Sequence, residues 1–307
     1  MSGTAASTKV WRRIGVHARD ALLRSLSIGE LRTILADVAR ARAQDLTPTD
    51  IMKRWREDRL LLPSLLDPRE ALEITQKLWQ GLPDDFLGVT LSPLTALGSA
   101  IHLGGRGQNR VVTTMRGTEL LADPVHGLAL EASRRRRSGH SRVHLATHAR
   151  VTHAWDNVEE SAHELRFSLA SSAPDGGGFV TEAELLDLHL DYWREMIEAL
   201  VPHGRIQLVV WDPTLAGLVD ERGTCDGRVV VATEDGGRDR GPQRTPWRNP
   251  YTTAAFRFVV DGEEPVELGD GGFVAWTQAL TRNRKDRCLV SSVSIDSIVA
   301  HTWEQDT

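Results

Sequence analysis

Cysteine is nearly missing from this chain: Cys225 and Cys288 are the 2 among 307 residues. Two thiols build neither a disulfide framework nor a tetrahedral metal site, and they fit a reducing compartment. Long apolar runs are missing too. None approaches the ~20 residues needed to span a bilayer, and the opening MSGTAASTKVWRR has no apolar signal core. A soluble, cytoplasmic protein with no membrane association is the expectation. Nor is there a surplus of positive charge, since the formal charge is -5 and the pI is near 6.1. That balance argues against a protein whose first task is coating nucleic acid. No internal repeat is visible, and the glycine-rich GGRGQNR (104–110) lacks the strand before and helix after that a phosphate loop requires.

What is present begins with helices. Val10 to Ser25 carries Val10, Ile14, Ala21 and Leu22 at helical spacing. Ser27 with Glu30 makes a capping-box pattern ahead of Leu31, Ile34, Leu35 and Val38, and Thr47, Pro48 and Asp50 start a third segment. Residues 1–66 therefore read as a helical cap or docking segment, and 67–307 as the main domain. Asp67-Pro68 opens a helix with Leu72, Ile74, Leu78 and Trp79, followed by the strand-like DDFLGVTLSP. Strands are expected at 110–116, in VHLATHAR, from His163, at 205–212, in TTAAFRFVV and in CLVSSVSI. Helices are expected after Asp123-Pro124, after Thr181 with Glu184 as a capping box, and from Val274 to Leu280. Residues 213–250 are rich in Gly, Asp, Arg and Pro and read as a mobile loop region. The whole predicts an α+β fold, a mainly antiparallel sheet flanked by helices, with an N-terminal helical segment.

Several groups invite a chemical reading. His144 and His148 share one face of a strand while His153 lies on the other, so three ligands do not converge and no metal is expected. Trp155, Trp193, Trp211 and Trp247 fit a core as well as a pocket. Asp123, Asp187 and Asp191 fit helix caps and exposed faces as well as an acid and base pair. The Arg134–Arg137 run and the RNRKDR segment end helices, where cations commonly sit.

One stretch carries more. RVTHAWDNVEESAHELRF (150–167) reads as an arginine leaving a strand, a polar loop, and a second strand with His163 and Phe167. This resembles motif 2 of the class II aminoacyl-tRNA synthetases, with Thr152 where that motif has an acid. Further matches follow in the family's order. The helix at 68–81 with Phe86, Val89 and Pro93 resembles motif 1. TTMRGTELLADP resembles a substrate segment of the histidyl branch through Arg116, with Thr118 at the family's glutamate and Glu119 beside it. NPYTTAAFRFVV resembles that branch through Tyr251, Thr252 and Phe256, and GDGGFVAWTQAL resembles its glycine-glycine turn and helix. CLVSSVSIDSIVA stands in the place of motif 3, with Ser297 where the family has an arginine.

The resemblance, over roughly 68–302, implies a synthetase-like core closest to histidyl-tRNA synthetase and to the regulatory paralogue of ATP phosphoribosyltransferase, with no anticodon-binding domain. It implies Arg150 and His163 as catalytic residues and Arg150, His163, Phe167 and Arg287 as cofactor-binding residues. It implies Arg116, Thr118, Glu119, Tyr251 and Thr252 around the substrate. ATP with magnesium is the implied cofactor. Arginine's planar fork suits such phosphates. The expected ligand is an amino acid or a similar small metabolite, held by a homodimer in a regulatory or accessory role. A protein partner is expected at the N-terminal helices, and tRNA is not expected. An adenylate-forming ligase or acyltransferase independent of tRNA is the alternative.

Overall fold

The computed structural model describes residues 5–105, 107–152, 154, 162–232, 250–262 and 265–304. The chain begins with α1 (Ala5–Ile14), α2 (Val16–Asp20), a π-helical turn at Ala21–Ser25, α3 (Ile28–Gln44) and α4 (Pro48–Glu57). Gly15, at φ 96°, breaks the expected first helix in two. Both predicted capping boxes form: Ser27 accepts from the Glu30 N–H, Thr47 accepts from the Asp50 N–H, and each acid returns the bond. None of these helices buries a residue among side chains 7–57. α5 (Pro68–Gln80) is the first that does. Asp67 caps it by accepting from the Arg69 N–H at 2.8 Å, and Ala71, Ile74, Thr75 and Leu78 face inward.

The remaining elements build a sheet and its cover. The strands are β1 (Leu87–Gly88), β2 (Leu94–Ala96), β3 (Thr118–Leu120), β4 (Val143–Thr152), β5 (His163–Pro174), β6 (Gly204–Val210), β7 (Val229–Val231), β8 (Ala254–Val260), β9 (Val266–Phe273) and β10 (Asp286–Ser294). The helices are α6 (Ser99–His102), α7 (Pro124–Arg137), α8 (Val180–Leu200), α9 (Pro213–Arg222), α10 (Trp276–Thr281) and α11 (Ile295–Glu304). Eight strands run in the order β1-β4-β5-β10-β9-β8-β6-β7, while β2 pairs with β3 in a small separate sheet. The large sheet is antiparallel through its middle and parallel at its margins, where β1 joins β4 and β7 joins β6.

Directly paired residues share a face, and successive residues along a strand change face. On one face Phe167, Leu169, Val293, Phe258 and Leu208 pack against α5, α8, α9 and α11 in the main core. On the other, Leu145, Ala170 and Val290 meet α7 and Trp276 of α10 in a second cluster. That second cover is short, and beyond it the same face turns polar.

Some expectations are corrected. The strand expected at 110–116 is instead a 3₁₀ turn at Gln108–Arg110, a bridge at Thr113 and a turn leading into β3. The capping box expected at Thr181 does not form. Phe179 occupies the cap position, and the Thr181 hydroxyl donates to the Pro174 carbonyl and accepts from the Gly176 N–H instead. Within 213–250 the structure has α9 and β7, and residues 233–249 lie outside the described ones. Finally GDGGF, expected as a turn, completes β9. A side chain at Gly271 would lie 2.5 Å from the Phe256 ring, so glycine is what lets this central strand sit beside a phenylalanine.

Candidate functional site

A row of polar side chains crosses the middle of the sheet on the half-covered face. Thr147 pairs with Ser168, Ser168 with Ser292, Ser292 with Asp270, Asp270 with Arg257, and Arg257 with Gln207. One step along, Arg166 stands opposite Ser294. A central sheet normally spends these positions on apolar packing, so an unbroken polar row on buried strands needs either internal satisfaction or a ligand.

Much of the satisfaction is internal. Arg166 donates through Nε to Ser292 Oγ at 2.9 Å and through Nη1 to Glu164 Oε1 at 2.8 Å. Ser168 and Ser292 share a hydrogen bond at 2.7 Å. Tyr251 donates its hydroxyl to Asp270 Oδ2 at 2.8 Å. Arg257 pairs with Glu267 at 3.6 Å. The Arg166 side chain is 14% exposed, and burial alone would weaken its charge. The carboxylates of Glu164, Asp123 and Asp270 outweigh that and hold its pKa above the ordinary value. Burial raises Asp270 despite Arg166, and burial with Asp270 beside it raises the Tyr251 phenol. The arrangement offers an arginine fork, carboxylates and a hydroxyl on one half-covered surface. Such a set suits a small zwitterion, whose carboxylate meets the guanidinium and whose ammonium meets an acid.

The expected nucleotide residues are placed elsewhere. Arg150 and Phe167 share a face of the β4–β5 pair, and it is the face packed by α5 and α8. Arg150 Nη1 lies 3.0 Å from His163 Nδ1, and His163 Nε2 is 2.8 Å from the Leu62 carbonyl. Phe167 is wholly buried among Trp79, Tyr192 and Trp193, with ring centroids 5.1 to 6.2 Å away, which leaves no ring face for a base. Arg287 stands opposite Ala173, while Arg150 stands opposite Leu165 toward the other end of β5. It is held by Glu182 at 2.6 Å and Asp175 at 2.7 Å. Arg150 and His163 thus meet, whereas Phe167 is packed away in the core and Arg287 stands at the other end of the strand, so the four form no single cluster.

The substrate residues also divide. Arg116 is exposed on the turn before β3, and the Thr118 and Thr114 hydroxyls bond at 2.6 Å. Glu119 is buried and accepts from the Gly98 and Ala100 N–H groups and from Gln108 Nε2, so its carboxylate anchors the start of α6. Burial raises its pKa, but those donors outweigh it and the net shift is downward. Tyr251 belongs to the polar face, and Thr252 donates to the Phe273 carbonyl at 3.1 Å beside Arg287.

Among the other candidates, Asp187 holds Arg222 and Thr224, Asp191 holds Arg194, and Asp123 caps α7. His144 bonds Ser171 and His148 accepts from Trp79, while His153, Trp155 and Trp247 lie outside the described residues. Among the described residues no group of three or more His, Cys, Asp or Glu is placed to hold a metal ion, and no helix is long and apolar enough to cross a membrane.

The sequence reading missed Arg166, Asp270, Arg257, Ser168 and Ser292. Its signal was present in HELRFSLASSAP, where Arg166 and Ser168 alternate with Phe167 and Leu169 on a buried strand.

No family model matches the chain, and neither does any curated protein. Solved structures do. Sheet order, flanking helices and half-covered polar face together define the fold of a class II aminoacyl-tRNA synthetase core. Within that class the likeness is to histidyl-tRNA synthetase-like structures. An ATP phosphoribosyltransferase regulatory subunit/histidyl-tRNA synthetase from Bacillus halodurans is 10% identical at a TM-score of 0.58, over 78% of this chain and 81% of that one. A histidine–tRNA ligase subunit from Alicyclobacillus acidocaldarius is 11% identical at 0.57, over 80% and 98%. Histidyl-tRNA synthetase from Nostoc is 11% identical at 0.58, over 81% and 75%.

Proposed function

We propose that this chain binds an amino acid or a similar zwitterionic metabolite on the polar face of its sheet and acts in a regulatory or accessory role without charging tRNA. The observation that carries the reading is the row from Thr147 to Gln207 with Arg166 beside it. Arg166 Nη2 hydrogen-bonds none of the described residues and can meet a ligand carboxylate. Asp270, bonded through Oδ2 to Tyr251, has Oδ1 for an ammonium group. The similar Bacillus halodurans protein is named as a regulatory subunit of ATP phosphoribosyltransferase, which supports the role. Against adenylation stand the buried Phe167 and the engaged Arg287.

Titration calorimetry with the twenty amino acids tests the reading, with Asp270→Asn as the control variant. One amino acid class binds, and the variant weakens it by about tenfold or more, the worth of a charge-assisted hydrogen bond. Absence of heat from every amino acid overturns the reading. Amino-acid-dependent pyrophosphate exchange with ATP would establish the ligase alternative instead. The same reading expects a homodimer through the α5 and β1 side, where Leu65, Leu72 and Leu87 are exposed. Sedimentation of the chain and of Leu72→Glu checks it: the variant sediments as a monomer, and a monomeric parent refutes the dimer.

A further inference from the structure

A cavity lies at the far end of the sheet from the Arg166 end of the polar row. It is a cleft of about 460 Å³ lined by Phe179, Glu182, Thr252, Phe273, Gln278 and Arg284, among others. Along β10, Cys288 at its floor is four residues before Ser292, roughly 13 Å at strand spacing. The two sites are therefore separate.

Two observations distinguish this cleft from a surface dent. Glu182 is 3% exposed; its Oε1 accepts from Arg287 at 2.6 Å, and its Oε2 is buried with no partner among the described residues. A buried carboxylate oxygen left without a donor is costly, and native proteins keep few of them. Phe179 holds φ 61° directly after Gly177 and Gly178, both also at positive φ, so the chain accepts a strained backbone at the head of α8, beside this cleft.

We propose that the cleft binds a small organic cation of the primary-amine type. Its ammonium donates to Glu182 Oε2 and to the Gln278 carboxamide oxygen. Its apolar body lies against Phe179 and Phe273, whose aromatic faces also attract a cation. Arg284 is exposed at the rim, so the ammonium seats at the Glu182 end of the cleft, away from that guanidinium. The proposal is independent of the zwitterion site on the polar face, because none of these residues belongs to that row.

Benzylamine is the probe, with benzyl alcohol and benzoate as controls, read by thermal shift and calorimetry on the full chain. Benzylamine gives a saturable response and the two controls give none. Glu182→Gln turns the orphan acceptor into a donor and weakens binding by about tenfold or more. Ala275→Phe fills the cleft from an exposed position and abolishes the response without disturbing the core. The proposal is overturned if benzylamine produces no saturable response, if benzyl alcohol binds as well, or if Ala275→Phe binds like the parent. Should Glu182→Gln fail to fold, the Ala275→Phe result decides alone. Asp270→Asn leaves benzylamine binding unchanged, which separates this outcome from that of the zwitterion site.

Discussion

At the residue scale, His189 sits fully buried in a relay that fixes where each proton goes. Trp193 Nε1 donates to Ser291 Oγ at 2.7 Å, Ser291 lies 2.9 Å from His189 Nδ1, His189 Nε2 lies 2.8 Å from Ser171 Oγ, and Ser171 lies 2.8 Å from His144 Nδ1. Only one direction gives every hydrogen an acceptor within this set: Ser291 donates to Nδ1, Nε2–H donates to Ser171, and Ser171 donates to His144. Protonation at Nδ1 would leave the Ser291 hydroxyl hydrogen without an acceptor in this set, and burial already pushes the His189 pKa down to about 3. The folded value lies below the unfolded one, near 6.5. The unfolded chain therefore takes the proton first as pH falls, so this contribution is complete above about pH 6.5 and fades toward pH 3. Unfolding free energy between pH 6 and 5 should drop by up to about 1.4 kcal/mol per unit more in the parent than in His189→Gln. Parallel curves in urea titrations would refute the relay. A buried pair makes a second case. Arg136 donates to Asp286 at 2.6 Å with side-chain exposures of 10% and 2%. Removing one partner of such a pair costs about 3–5 kcal/mol. Asp286→Ala should lose that much, and Arg134→Ala, whose side chain is 68% exposed, less than about 1 kcal/mol. Equal losses would contradict the burial argument. The sequence reading placed Arg134–Arg137 together as a charged helix end, because nothing local marks which arginine finds a partner 150 residues later.

At the element scale, the helices with strong local capping chemistry were legible and those positioned by tertiary contact were not. Ser27 with Glu30 and Thr47 with Asp50 read correctly because both partners lie within one turn. Thr181 with Glu184 has the same spelling, yet Thr181 bonds Pro174 and Glu184 bonds Arg142. Strand faces were the harder problem. One register step separates Phe167, which the motif resemblance singled out, from Arg166 and Ser168, which form the polar row, and pairing alone reveals which face is covered. β9 was hidden by its glycines, since Gly269, Gly271 and Gly272 look like a turn. Each in fact faces a close neighbour, and a Cβ at Gly272 would lie 2.6 Å from the Tyr251 ring. Gly272→Ala should therefore push Tyr251 from Asp270, destabilise the fold by about 1–3 kcal/mol and weaken zwitterion binding. Unchanged Tyr251 fluorescence and unchanged binding would show that the ring can retreat without consequence.

At the scale of the whole molecule, the chain splits between a segment that buries nothing and a domain that buries almost everything it makes. α1 to α4 leave Val10, Ile14, Ile28, Val38, Ile51 and Trp55 between 49% and 77% exposed. Apolar burial is the main source of stability, at about 25 cal/mol per Å², so helices that bury no side chain contribute little to the folded core. The contrast begins past α4, where His163 reaches the Leu62 carbonyl and Ser64 reaches Asp296, tying residues 62–66 to β5 and α11. A chain starting at residue 58 should therefore keep its melting temperature within about 3 °C, because a loss of less than 1 kcal/mol shifts a domain of this size by no more. It should also retain both ligand responses, benzylamine in the cleft and an amino acid on the polar face, since neither site draws a residue from before 58. If the N-terminal helices serve a protein partner, as the regulatory reading expects, the shortened chain loses that association while both small-molecule responses survive. A melting temperature lowered by 10 °C or more would mean that these helices are part of the fold after all. The exposed faces would then have to be covered within the homodimer, and sedimentation of the shortened chain as a monomer would identify that as the cause.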